Sequence, residues 1–325
     1  MENTVQLTDS ASRDDFFDPN DVKASFDDIY RKEDPRAYFA VLGSLDYSIP
    51  DLARPIIRQI ASARRRETGR AATMLDLGSS YGINAALFRH PVTFDMLRRR
   101  YARQEMMALG SADLRAFDRA YFQSWPRTRA ERLIVADVSA PAVTYAVDAG
   151  LADEGVAFDF EAGAPTSELE RSLAGVDIVF STGCVGYVSE RTFEAVLGCC
   201  ARRKPWVVNF VLRMFDYAPI AGALARAGLV TEKLRSAVFV QRRFRDEAEA
   251  GQTMELLRKR ELDPSGLEAE GLLYAELYVS RPEESVRAAP LEELVTVASG
   301  RNISFGPRFL AVQRDGRAEL APVRT

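Results

Sequence analysis

The stretch Thr73-Met74-Leu75-Asp76-Leu77-Gly78-Ser79-Ser80-Tyr81-Gly82 decides the fold. Residues 73–77 are a short apolar run of strand character, residues 78–82 a turn bracketed by glycines, and residues 83–88 the start of a helix. A parallel strand running into such a turn lets a ligand approach the backbone at the carboxyl edge of a sheet. A Gly-x-x-x-Gly spacing alone serves equally well as a tight strand–helix connection, so the flanking segments must decide.

They repeat the pattern. Apolar strands are expected over residues 132–136, ending at Asp137, and over 156–160, 176–180 and 206–210. Helical segments follow the second and the fifth strands, at 141–149 and 220–227. Short apolar strands alternating with helices imply a doubly wound parallel sheet. Residues 236–244 and 272–279 alternate like a terminal antiparallel pair around a helical 254–260. Upstream, Val22, Phe26, Ile29, Tyr30, Tyr38, Phe39, Val41 and Leu42 recur at helical spacing, with Pro35, Pro50 and Pro55 each expected near a helix start. The chain thus divides into a disordered 1–20, an N-terminal helical lid at 21–70 and an α/β domain at 71–282. That domain carries a helical insertion at 91–130, and a tail at 283–325 contains one further strand, at 308–313.

With Asp76, Gly78 and Gly82 after the first strand and Asp137 after the second, the chain resembles the class I S-adenosylmethionine-dependent methyltransferases. These have a Rossmann-like sheet of seven strands, the last of them antiparallel. The first motif of the family, acidic-x-Gly-x-Gly-x-Gly, is matched except that Ser80 replaces the middle glycine. The resemblance implies S-adenosylmethionine as cofactor, lying on Asp76, Gly78, Ser79, Ser80 and Gly82. It implies that Asp137 takes the ribose hydroxyls, a bidentate role for which a carboxylate is suited; the alternative for Asp137 is a helix N-cap, which Ser139 could equally supply. Val138 would pack on the adenine, Glu161 or Asp159 would reach its amino group, and Ser181 and Thr182 would face the sulfonium and the acceptor. The nicotinamide fingerprint G-x-G-x-x-G is absent.

Residues of the reacting side are less sharply marked. Tyr30, Arg36, Tyr38 and Tyr47 would line the lid, and Tyr187 just past the fourth strand would be an aromatic wall for the sulfonium, a contact worth roughly 0.5–2 kcal/mol. Each lid tyrosine could instead simply pack the lid on the core. Asn209 and Arg213 follow as candidates for holding a substrate amine or carboxylate, against an internal hydrogen bond and a surface salt bridge respectively. Tyr187, Tyr30 and Asn209 are the catalytic candidates, and Tyr38, Tyr47 and Arg213 the substrate-binding ones.

Composition excludes several other chemistries. The 325 residues carry 43 Lys and Arg against 47 Asp and Glu, a net charge of −4, which is unlike a protein built for many phosphate contacts. The one histidine, His90, cannot build a histidine-rich metal centre, and it reads as a capping or surface residue. Three cysteines, Cys184, Cys199 and Cys200, form no even framework and suit reduced thiols in the cytoplasm. No run approaches the ~18 apolar residues of a membrane helix. The Asn/Asp-Pro-Pro-Tyr motif of amino-group methylases acting on nucleic acid or protein glutamine is also missing; Ser181-Thr182-Gly183-Cys184 stands in its place. The expectation is a small-molecule methyltransferase acting on O or N. Two alternatives are a cyclase that closes the aminobutyryl chain of adenosylmethionine into azetidine-2-carboxylate and releases methylthioadenosine, and a silent cofactor-binding scaffold. Neither nucleic acid nor membrane is expected as a partner, and no feature indicates an oligomeric state.

Overall fold

The computed structural model describes residues 27–127, 129–200, 203–297 and 309–322. The segment 1–20, expected to be disordered, and the first residues of the expected lid, 21–26, lie outside them.

Three helices lead in: α1 (Asp27–Tyr30), α2 (Arg36–Ser44) and α3 (Ile49–Thr68). Pro35 caps α2 and Pro50 sits in the first turn of α3, but Pro55 lies inside α3 rather than at a start. Strand β1 (Thr73–Leu77) and helix α4 (Ile83–Arg89) flank the glycine turn. Helices α5 (Phe94–Tyr101), α6 (Gln104–Met107) and α7 (Ser111–Ser124) follow in the segment expected to be a helical insertion. Then come β2 (Arg132–Asp137), α8 (Ala140–Asp148), β3 (Glu154–Ala157), α9 (Ser167–Leu173), β4 (Ile178–Thr182), α10 (Glu190–Cys199), β5 (Trp206–Leu212) and α11 (Ala218–Arg226). The chain continues through β6 (Val230–Lys233), β7 (Ala237–Arg243), α12 (Glu247–Lys259), β8 (Leu272–Arg281), α13 (Glu283–Ala288), α14 (Leu291–Leu294), β9 (Phe309–Arg314) and β10 (Arg317–Pro322).

These strands form one sheet in the order β3-β2-β1-β4-β5-β8-β7-β10-β9. Strands β1 to β5 are mutually parallel and β8 is antiparallel to β5. This is the expected Rossmann-like sheet, extended beyond seven strands. The far edge of β8 is shared by β6 and β7, and the tail contributes two strands where one was expected, with β10 parallel to β7. Chain direction across the sheet reverses between β1 and β4, the switch point where a crevice opens at the carboxyl ends of the strands.

Alternation along the strands builds two cores. Met74, Leu133, Val135, Ile178, Phe180, Val208 and Phe210 face the layer that contains α2–α5 and α8. Leu75, Leu77, Ile134, Ala136, Val179, Val207 and Val211 face α9, α10 and α11. The lid helices therefore cover only one face, and strand parity decides which residues can meet them. His90 ends α4 in the core, 2% exposed against Phe122, rather than at the surface; burial, with Arg89 and Arg127 nearby, lowers its pKa to about 4.

Two buried clusters fasten the insertion. Arg36, expected to line the lid, instead pairs with Asp34 at 2.7 Å and donates to the carbonyls of Met106, Met107 and Leu109. Tyr101 and Tyr145 both donate to the buried carboxylate of Asp118, which Arg100 pairs at 2.7 Å.

Candidate functional site

The crevice at the switch point is built from the ends of β1, β2 and β4. The amides of Gly78 and Ser79 both donate to the Ala136 carbonyl, at 2.8 and 3.0 Å, which ties the glycine turn to β2. Gly78 has φ +69, and a Cβ there would lie 2.5 Å from the Cβ of Cys184. Only glycine fits between the two strand ends. Gly78→Ala is expected to shift the turn and to lower the unfolding free energy by at least about 1–2 kcal/mol, the cost of a left-handed alanine, read by denaturant unfolding. Stability equal to the wild type would refute this role for Gly78. Ser80, in place of the family's middle glycine, adopts φ +50, so this serine holds the left-handed conformation that glycine takes readily.

Two carboxylates face this turn. Asp76 is fully buried, and its Oδ1 accepts from Asn84 Nδ2 at 3.0 Å while its Oδ2 has no partner among the described residues. Burial, opposed by the Asn84 hydrogen bond and reinforced by nearby Asp137, pushes its pKa up to about 8. Asp137 accepts from Ser139 N at 2.9 Å on one oxygen and from Ser80 N at 2.8 Å on the other. The hydroxyls of Ser79 and Ser80 are also buried, with no partner among the described residues, and Val138 stands 69% exposed beside Asp137. The helix after β2 is capped by Ser139, whose hydroxyl accepts from Ala142 N, so Asp137 is not the N-cap.

A chain of hydrogen bonds leads from Asp76 to the lid. Asn84 Nδ2 also lies 2.9 Å from Thr182 Oγ1, and the hydroxyl of Tyr47 bonds both Thr182 and Tyr38. Tyr38 packs edge-on against Tyr30, Tyr47 and Tyr81, with ring centroids 5.8, 6.4 and 5.9 Å away. Burial raises the pKa of Tyr30 well above the ordinary value, with Tyr187, Tyr47 and Asp137 adding to the shift and Arg242 opposing it. Burial likewise pushes Tyr47 up to about 12. These phenols are neutral walls and hydrogen-bond partners rather than bases. Tyr187 is 40% exposed, in a turn closed by its amide on the Cys184 carbonyl.

Four expected residues are engaged elsewhere. Ser181 and Asn209 are paired across β4 and β5 on the face away from the lid, fully buried, with Ser181 Oγ 2.7 Å from Asn209 Oδ1 and Asn209 Nδ2 2.8 Å from the Tyr217 hydroxyl. Parity sends Thr182 to the crevice and its neighbour Ser181 to the opposite layer. Glu161 accepts from Ser189 N, Ser189 Oγ and Thr192 Oγ1 at the start of α10, because β3 ends at Ala157 rather than at residue 160. Burial by itself would raise the Glu161 pKa, but these hydrogen bonds together lower it. Arg213 is buried in an ion pair with Glu268, with Glu276 at 3.8 Å, and donates to the Asp263 carbonyl.

Two residues that sequence reading missed belong to the crevice. Asn84 is a lone polar side chain in the apolar first turn of α4, which was its only signal. Gln241 occupies a bulge in β7: Val240 pairs with Tyr274 and Arg242 with Leu273, leaving Gln241 as the extra residue. Its buried side chain points at Gly183, where a Cβ would lie 2.5 Å from Nε2. Bulges re-aim side chains in this way beside functional sites.

A separate cavity of about 530 Å³ lies between the lid and the insertion, lined by Lys32, Arg36, Phe39, Arg98, Tyr101 and Met107. Both of its arginines are engaged, Arg36 as above and Arg98 with Asp95 at 2.7 Å. Among the described residues no group of three His, Cys, Asp or Glu is placed to hold a metal, and no helix is long and apolar enough to cross a membrane.

No protein-family model matches the chain, and no curated protein matches it. Similar solved structures include a TehB-like SAM-dependent methyltransferase from Corynebacterium glutamicum, at 14% identity, covering 68% of this chain and 86% of that one with a TM-score of 0.33. Magnesium protoporphyrin IX methyltransferase from Synechocystis, solved with bound SAM, is 10% identical and covers 86% and 100%, with a TM-score of 0.37. The 4+2 cyclase SpnF is 13% identical and covers 69% and 80%, with a TM-score of 0.33. Class I S-adenosylmethionine-dependent methyltransferases are therefore among the structural neighbours of this chain, at low sequence identity throughout.

Proposed function

We propose that the chain is an S-adenosylmethionine-dependent enzyme that transfers a methyl group to O or N of a small metabolite. The observation that carries this is the pair Asp76 and Asp137 at the switch point, one with an unpartnered buried oxygen, both beside a turn that admits only glycine at position 78. The donor set fits the cofactor. Asp137 has lone pairs left for two ribose hydroxyls, Val138 offers an apolar platform for adenine, and Asp76 awaits a cation such as the methionine ammonium. Asp159 remains the candidate for the adenine amino group. When bound, the cofactor supplies a methyl already activated on a sulfonium. The chain then needs chiefly to align a nucleophile and exclude water, for which the neutral phenols of Tyr30 and Tyr47, with the Tyr187 ring near Tyr30, are suited.

A second reading keeps the same site and makes the cofactor its own substrate, closing the ring of azetidine-2-carboxylate with loss of methylthioadenosine. The enclosure of Tyr30, Tyr38 and Tyr47 in one mutually packed cluster favours it. Incubation with adenosylmethionine alone, followed by product analysis, separates the two. Adenosylhomocysteine formed only when a small-molecule acceptor is added supports methyl transfer. Methylthioadenosine above the background decay rate without acceptor supports ring closure. Binding without either product leaves a silent scaffold, and the absence of binding to both adenosylmethionine and adenosylhomocysteine overturns every one of these readings.

A further inference from the structure

Helix α1, described over Asp27–Tyr30, ends at Tyr30 and leads into a turn before α2. The carbonyls at and beyond its end need partners from outside. Three of them find partners on the two cofactor loops. The Tyr81 hydroxyl lies 2.7 Å from the Ile29 carbonyl and 2.8 Å from that of Lys32, sharing one proton between them. The Ser139 hydroxyl donates to the Tyr30 carbonyl at 2.5 Å while it caps α8.

Neither donor is incidental to the site. Tyr81 follows Ser80, and the amides of Ser80 and Ser139 are both held by the Asp137 carboxylate. Tyr81 is itself fixed, fully buried with its ring edge-on to Tyr145 at 5.7 Å. The backbone turn that carries Tyr30 is thus fastened by the same loops that flank Asp137.

We propose that Tyr81 and Ser139 are positioning residues that latch turn 29–32 onto the two cofactor loops and so set the Tyr30 ring at the reacting end of the crevice. The proposal rests on the reading of the crevice as the adenosylmethionine site, and it deepens that reading by making the order of the lid depend on those loops.

Hydrogen exchange of the full-length protein, followed by mass spectrometry of the peptide spanning 27–35, tests it. In the unliganded protein, Tyr81→Phe keeps the ring but loses both bonds, and exchange of that peptide is expected to quicken about tenfold. Exchange in β1, β4 and β5 stays as in the wild type, which shows that the variant is folded. Ser139→Ala has a similar effect, and Ser139→Thr, which keeps both donor and cap, restores wild-type exchange. In the wild type, saturating adenosylhomocysteine slows exchange of the same peptide, and in the Tyr81→Phe, Ser139→Ala double variant it does not. Equal exchange in Tyr81→Phe and wild type overturns the latch. Failure of wild-type protein to bind adenosylhomocysteine overturns the cofactor reading instead, and that is seen before any variant is made.

Discussion

Asp137→Ala is expected to weaken adenosylhomocysteine binding by two orders of magnitude or more while leaving the sheet folded. The two oxygens of this carboxylate accept the Ser139 and Ser80 amides, with the Val138 amide adding to them, and the remaining lone pairs are what the ribose hydroxyls would take. Two hydrogen bonds to a charged acceptor at about 1.5–3 kcal/mol each correspond to roughly 10²–10⁴-fold in affinity. Asp137→Asn is expected to be nearly as damaging, because the amide nitrogen would face one of those backbone donors, donor against donor. A purely local role in capping α8 predicts otherwise, since Ser139 supplies that cap. Calorimetry decides the matter: affinity of Asp137→Ala within threefold of wild type removes the ribose assignment, provided that its far-ultraviolet spectrum is unchanged.

The strand pattern around Asp137 was legible because the runs of β1, β2 and β4 are closed by Gly78, Asp137 and Gly183, at or next to the observed strand ends. Register was not legible. Ser181 and Thr182 are adjacent in sequence and equally polar, yet one lies against Asn209 and the other against Asn84, because neighbours on a strand face opposite layers. Which layer holds the lid is a property of the whole chain. The Phe158-Asp159-Phe160 alternation prolongs the apparent third strand past Ala157, and that shift carried Glu161 from an expected adenine contact to the start of α10. Arg36 and Arg213 were candidates for the cofactor or substrate side because most of their partners are remote in sequence: beside nearby Asp34, the carbonyls of Met106, Met107 and Leu109 for the first, and Glu268 and Glu276 for the second, where only a surface salt bridge was weighed. Gln241 escaped for a subtler reason. A bulge is one residue too many against a partner strand, and alternation within a single strand does not reveal it.

Asp76→Asn is expected to stabilise the unliganded protein and to disable it. The carboxyl group of the folded state has a pKa of about 8, set first by burial, against about 4 for an exposed aspartate in the unfolded chain. Between those values the folded protein holds a proton that the unfolded chain has lost. Stability from this group is therefore fully present below about pH 4 and is lost progressively as pH rises towards 8. Asparagine at 76 can still accept from Asn84 and does not titrate, so its stabilising effect should be near zero at pH 4 and grow to about 2 kcal/mol or more at pH 8. Binding should move the other way. A cationic ammonium placed at the unpartnered Oδ2 favours the ionised carboxylate, so wild-type affinity for adenosylhomocysteine should rise from pH 5.5 to 7.5, with proton release measurable in buffers of differing ionisation enthalpy. In Asp76→Asn the proton release disappears and affinity falls about a hundredfold or more, since a buried cation then lacks its counter-charge. A variant that binds as tightly as wild type, with the same pH dependence, would mean that the cofactor's ammonium lies elsewhere. The raised pKa of Asp76 would then reflect burial beside Asp137 alone. If both expectations hold, the cost of burying an acid with one unpartnered oxygen is what the cofactor relieves on arrival, and the stability gained by Asp76→Asn measures how much of that cost the wild-type chain carries.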